Sequence, residues 1–248
     1  MMIDTHAHLN FNDYKEDAGE VIRRSLDNDV WMINVGSQYS TSKRAIKIAE
    51  EYEKGVYAAV GLHPIYAQET FDAEKYRELA GSKKVVAIGE IGLDHKAGYV
   101  SFKEKQKEVL LSQLALAKEL DLPVIFHCRK AHDDLITILS ENGSRPGVIH
   151  CFTGNWKQAE KYLEMGFYLG LNGIIFKLNL DEIIKKAPLD RILLETDCPY
   201  LTPPQEQGRN EPLYVKHIAE KIAEVKGLSY EEVAEITTQN AQNLFKIS

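Results

Sequence analysis

The chain has 248 residues, 44% hydrophobic and 27% charged, which is enough apolar material for a large core and too little charge imbalance for a disordered tail. A formal charge of −7 excludes a protein that coats nucleic acid nonspecifically, since that needs a broad Lys/Arg surface, but it leaves room for a small basic pocket. No apolar stretch approaches the roughly 18 residues of a membrane helix, the start MMIDTHAHLN has no apolar leader, and Cys128, Cys151 and Cys198 are too few and too widely spaced for a disulfide framework, so the expectation is a reduced, cytoplasmic protein with no membrane partner.

The first apolar run, 3–9, carries His6 and His8. Two residues apart on an extended chain, their rings point to the same side and can bind one cation together. Asp4 is read onto the same face. A second run, 30–35, is followed by TSKRAIKIAEEYEK, which places apolar residues at helical spacing with charges opposite. The third run, 56–62, puts Ala59 and Gly61 inside and His63 at the rim. The fourth, 85–91, ends in GEIGLD with Glu90 and Asp94; Asp94 is a rim ligand to substrate or a cap for the segment that follows.

Next comes a long amphipathic stretch, SFKEKQKEVLLSQLALAKEL, then runs at 122–128 with His127, 147–152 with His150, 167–171, and 191–197 with Glu195 and Asp197. Arg129 lies two residues beyond His127 on the same face. The turn-rich segment 203–212 contains Arg209 and Asn210, and helices are expected over 211–226 and 230–245 with Gly227 as the stop between them.

Eight strand-like runs alternating with helices predict a single-domain (β/α)8 barrel over residues 1–248, because closure removes both sheet edges. An open doubly wound sheet is the alternative. Six ligand-type residues, His6, His8, Glu90, His127, His150 and Asp197, then fall at the C-terminal ends of strands, the face where barrels place their active sites. Core burial gives no reason for this clustering, since an unpaired buried polar group costs roughly 1–3 kcal/mol. A carboxylate between two histidine pairs suits two divalent ions about 3.5–4 Å apart, with Glu90 as the bridge. Asp197 would hold one ion and a water. Asp4 and Glu195 are candidates to accept an imidazole N–H and fix its tautomer. Each cysteine follows a proposed ligand directly, so alternation turns all three toward the helix layer as packing residues.

The set DTHAHL, GLHP, GEIGLD, HCR, HCF, ETDCPYL and RNEP, spread from Asp4 to Pro212, resembles the TatD family of metal-dependent deoxyribonucleases within the amidohydrolase-like barrel superfamily. Many members of that superfamily bridge their metals with a carboxylated lysine, whereas Glu90 in GEIGLD follows the TatD pattern. The resemblance implies a binuclear hydrolase with those six residues as ligands, and it implies cleavage of DNA phosphodiesters.

A phosphodiester gains negative charge in its transition state, so cations must meet its nonbridging oxygens. Arg129 offers a planar fork for a phosphate. His63, Arg209 and Asn210 are further substrate contacts, and Phe152 and Tyr200 are candidates to stack a base. Asp197 is expected to act as base as well as ligand, with Glu90 the second catalytic carboxylate. Zinc, manganese, cobalt and magnesium all remain open as the metal. DNA is the expected substrate, and no obligate protein partner is inferred. A C–N or ester hydrolase acting on a small molecule or aminoacyl ester, and a noncatalytic metal-binding scaffold, are the competing readings.

Overall fold

The computed structural model describes residues 1–248. Its strands are β1 (Met2–Ala7), β2 (Val30–Val35), β3 (Val56–Val60), β4 (Val85–Asp94), β5 (Val124–Arg129), β6 (Gly147–Ile149), β7 (Tyr168–Leu171) and β8 (Ile192–Leu194). They form one eight-stranded sheet in chain order, and every neighbouring pair is parallel. Being buried on both faces, such strands read as near-continuous apolar runs. The seam between β8 and β1 closes just beyond the regular ladder. Ala7 bridges Cys198, Asp197 N donates to His6 O at 2.9 Å, and His8 N donates to Cys198 O at 2.9 Å. The expected barrel is present.

Outside the barrel lie α1 (Ala18–Leu26), α2 (Tyr39–Glu50), α3 (Ala73–Ala80), α4 (Lys103–Glu119), α5 (His132–Asn142), α6 (Trp156–Glu164), α7 (Asp181–Lys186), α8 (Val215–Lys226) and α9 (Tyr230–Phe245). Between them and the sheet runs a core of 54 buried residues. A second cluster fills the barrel itself, with Ile3, Ile33, Ala59, Ala87, Ile125, Val148 and Leu193 from the strands and Ala241, Leu244 and Phe245 from α9. Asn240 of α9 holds the carbonyls of Leu189 and Ile192, both at 2.9 Å, so this helix seals the end where the strands begin. The opposite end is left for chemistry. Gly227 ends α8 in the left-handed conformation, φ 68°, and Ser229 caps α9 through the Glu232 amide, so the stop falls where expected.

Several strand ends differ from the sequence expectation. The ladders of β6 and β8 stop at Ile149 and Leu194, short of 152 and 197, because the chain turns there to deliver side chains. β4 runs on to Asp94 and shifts register between Gly89 and Ile91. β1 shifts register between Asp4 and Ala7. Since a one-residue slip reverses which face a side chain occupies, Ile3 fills the barrel interior while His6 and His8 still face the mouth. Asp4 is displaced from their face into the seam.

Candidate metal centre

Six side chains expected as ligands converge at the barrel mouth. His6 Nε2 lies 3.5 Å from Glu90 Oε2 and 3.2 Å from His8 Nε2. His8 Nε2 lies 3.4 Å from Asp197 Oδ1. His150 Nε2 stands between the two carboxylates, 3.9 Å from Glu90 Oε1 and 3.6 Å from Asp197 Oδ1. His127 Nδ1 lies 2.8 Å from Glu90 Oε1. The ligating atoms of His6, His8 and Asp197 form one compact group, those of His6, Glu90 and His150 another, and those of His63, Glu90 and His127 a third. Glu90 is common to the last two.

The outer partners decide what these atoms can do. His8 Nδ1 sits 2.8 Å from the Val35 carbonyl, and His150 Nδ1 sits 2.8 Å from Glu195 Oε2. Each therefore spends its N–H on an oxygen that only accepts, leaving the Nε2 lone pair turned inward. In the neutral rings these inward lone pairs meet carboxylate oxygens 3.4–3.9 Å away, acceptor against acceptor, a conflict that protonation of an imidazole relieves when no ion is bound. A cation resolves that arrangement, and the donor set of imidazole nitrogens and carboxylates fits a divalent ion. Glu195 thus accepts an imidazole N–H as anticipated, and the ring it serves is that of His150. Gly170 makes room for it, since a Cβ there would lie 2.1 Å from Glu195 Oε1.

Asp94 plays the corresponding part for His127, with Oδ2 3.0 Å from its Nε2, and Oδ1 accepts from the Lys96 amide at 2.9 Å. Gly92, between Glu90 and Asp94, adopts φ +147°, and a Cβ there would lie 2.0 Å from the His127 carbonyl oxygen. Only glycine allows β4 to approach β5 so closely beneath the histidine. Asp4 does not serve an imidazole. Its carboxylate accepts from the His6 amide at 3.2 Å and from the Thr196 amide and hydroxyl at 2.9 and 2.5 Å, so it ties the two halves of the seam.

The electrostatics follow from burial and this crowding. Burial would lift the Glu90 carboxyl, but the imidazoles of His63 and His6 and the hydrogen bond from His127 outweigh it and hold the group well below the usual carboxylate range. Burial would lower His150; the carboxylates of Glu195 and Asp197 prevail and raise it to about 10. His6 is lowered to about 4, first by burial and then by neighbouring His150. Where no ion is bound, the His150 imidazolium therefore supplies positive charge among these carboxylates, a place that a cation would take.

His63 was expected as a phosphate contact at the rim, and it lies deeper than that, buried, with Nε2 3.4 Å from Glu90 Oε1. Its Nδ1 accepts from the Ile65 amide at 3.2 Å, so Nε2 carries the proton. In this tautomer it is a donor beside the centre and not a ligand. Arg129 is exposed at the rim and makes no ion pair.

Arg209 and Asn210, also expected at the substrate, spend their polar groups on contacts within the protein. The Arg209 guanidinium bonds the Asp17 carboxylate and the Asp13 carbonyl and lies over the Tyr14 ring, 4.0 Å from its centroid. Asn210 is fully buried, donating to the Thr196 and Tyr200 carbonyls at 2.9 and 2.6 Å and accepting from the Glu211 amide at 3.0 Å. Both anchor the loop after β8. Arg209→Ala should accordingly lower thermal stability by about 2–4 °C, the equivalent of about 1 kcal/mol for a part-exposed ion pair and ring contact in a chain of this size. Activity per folded molecule should be unchanged, and a melting curve paired with an assay checks both.

Phe152 is 0% exposed and belongs to the core, so it cannot stack a base; Tyr200, at 53% exposure, stands free on the rim. Cys128 and Cys198 are buried packing residues as expected. Cys151 is not. β6 has already ended, Cys151 takes φ +46°, and its thiol joins His150 and Asp197 in a fourth ligating group. Alternation along a strand could not predict this, because the residue is no longer in one.

Against known proteins, the family model described as TatD related DNase matches residues 3–246. The metal-dependent hydrolase YabD of Bacillus subtilis (strain 168) is 46% identical over all of both chains. The 3'-5' ssDNA/RNA exonuclease TatD of Pantoea vagans (strain C9-1) is 37% identical, again over all of both chains. Among solved structures, YJJV, a TatD homologue from Escherichia coli K12, superposes with TM-score 0.92 at 32% identity, covering 100% of this chain and 98% of its own.

Proposed function

Because the chain belongs to the TatD-related DNase family of metal-dependent hydrolases, we propose that it hydrolyses phosphodiester bonds of DNA, taking single strands or free ends, with two divalent ions at the barrel mouth. His6, His8 and Asp197 would hold one ion, His127 and His150 the other, and Glu90 would bridge. When bound, the ions supply Lewis acidity toward the phosphoryl oxygens and lower the pKa of the attacking water. Zinc, manganese and cobalt suit the imidazoles, and magnesium suits the carboxylates and the phosphate.

The chain's own groups do the rest. The Asp197 side chain keeps 16% exposure, so water reaches it, and it takes the proton from the attacking water. His63 turns its Nε2–H toward a nonbridging oxygen of the substrate. Arg129 grips a phosphate from the rim. The observation that carries the reading is the combination of an imidazole–carboxylate centre with a guanidinium, two residues past His127, that is paired with nothing in the protein. A small-ester or amide hydrolase would need the centre but not the free arginine. The name of the Pantoea vagans relative, an exonuclease on single-stranded DNA and RNA, supports the same substrate class.

The test is turnover of the purified chain, loaded in turn with each metal, on labelled single-stranded DNA, duplex DNA, RNA and a small ester. Metal-dependent release of nucleotides from single-stranded DNA is the expected result. Turnover of the ester with no cleavage of any nucleic acid would overturn the reading. Arg129→Ala should reduce kcat/KM on DNA about 10- to 100-fold, the loss of a charged hydrogen-bonding contact worth about 1.5–3 kcal/mol, with the melting temperature unmoved. With so few phosphate contacts on an acidic protein, binding should weaken only shallowly with salt, by a slope of about −0.7 per contact on single strands, and the variant should lose about one such increment.

A further inference from the structure

Cys151 stands apart from the other cysteines. Its Sγ falls within 4.8 Å of the ligating atoms of His150 and Asp197. The side chain of Asn172, fully buried, touches it through Oδ1 at 3.5 Å, while Asn172 Nδ2 has no partner at all. An unsatisfied buried donor and a thiol therefore sit together beside two metal ligands. The backbone commits to this placement. Cys151 occupies the left-handed region at φ +46°, which costs a residue with a side chain on the order of 1–3 kcal/mol, and its amide is held by Glu195 Oε2 at 3.0 Å. Glu195 also orients His150, so one carboxylate sets both the imidazole and the thiol.

We propose that Cys151 is a further ligand to the ion that His150 would hold, on the side facing Asp197, selective for soft divalent ions such as zinc and cadmium. The inference rests on the metal-centre reading above and adds a sulfur donor to it. Coordination replaces the S–H bond with a sulfur–metal bond; the proton leaves to solvent, and nothing is oxidised or reduced. Magnesium and manganese prefer oxygen and gain little from sulfur, so the thiol discriminates among ions that the nitrogen and oxygen donors alone would accept together.

The experiment is cadmium, cobalt and manganese binding to the full chain, followed by near-ultraviolet absorbance and equilibrium dialysis. The wild type should show a thiolate-to-metal charge-transfer band with cadmium and cobalt. Cys151→Ser and Cys151→Ala should lose the band and bind cadmium more weakly, with manganese affinity unchanged, whereas Cys128→Ser and Cys198→Ser should keep it. In the unmodified protein, bound cadmium should protect Cys151 from alkylation and magnesium should not, a reading that requires no variant to fold. A band that survives in Cys151→Ser, or cadmium taken up by the wild type without a band and without protection, overturns the sulfur ligand. Failure to take up any of the three ions overturns the metal centre together with it.

Discussion

Asp197→Asn is expected to cut turnover about 10²- to 10⁴-fold, the usual contribution of a positioned general base, while the chain stays folded and keeps most of its metal. Asparagine preserves the size of the side chain and one ligating oxygen but removes both charge and basicity. The geometry is compatible with the proposed role. Asp197 adopts φ 57°, a conformation that aspartate tolerates better than most residues, and its amide is pinned by His6 O across the seam. Its Oδ1 lies within 4.0 Å of Nε2 on each of His6, His8 and His150. If Asp197 served only to turn the chain before Pro199, the variant would melt earlier and turn over normally. Measuring melting temperature and kcat on the same preparation separates the two.

Glu90→Ala should have the other large effect, the loss of at least one of two ions per chain and of turnover with it. Glu90 is the carboxylate nearest to His6, His63 and His127 together, at 3.5, 3.4 and 2.8 Å. Removing it leaves several imidazoles facing one another without the charge that reconciles them, and, in the proposed two-ion centre, would leave the cations without the carboxylate that screens their repulsion. Glu90→Gln, which keeps the volume, should fold like the wild type and still bind less metal. Metal analysis of both variants after dialysis checks the prediction, and an unchanged count in Glu90→Gln would remove Glu90 from the bridging role.

The sequence made the barrel and the cluster at its mouth legible for one physical reason. Parallel strands buried on both faces must be apolar, so His6, Glu90, His127 and His150 stand out against their runs as residues that burial alone would not place there. Glu195 was legible by the same alternation, which carries one residue past the end of β8 and keeps Glu195 on the face of Leu193. What could not be read is where the alternation breaks. The slip in β1 moves Asp4 into the seam, and the left-handed turns at Cys151 and Asp197 aim side chains by backbone conformation and not by strand parity. The internal contacts of Arg209 and Asn210 were not legible for a related reason. A loop motif names residues without saying whether they face the substrate or hold the loop, and here the Asp17 and Tyr14 contacts of α1 and its approach take the arginine.

The most direct test of the two-ion hydrolase is a stepwise metal titration of the metal-free chain by calorimetry, with cleavage of single-stranded DNA assayed at each step. The account predicts saturation at two ions per chain, with turnover appearing as the second site fills. Saturation at a single ion with full turnover would contradict it.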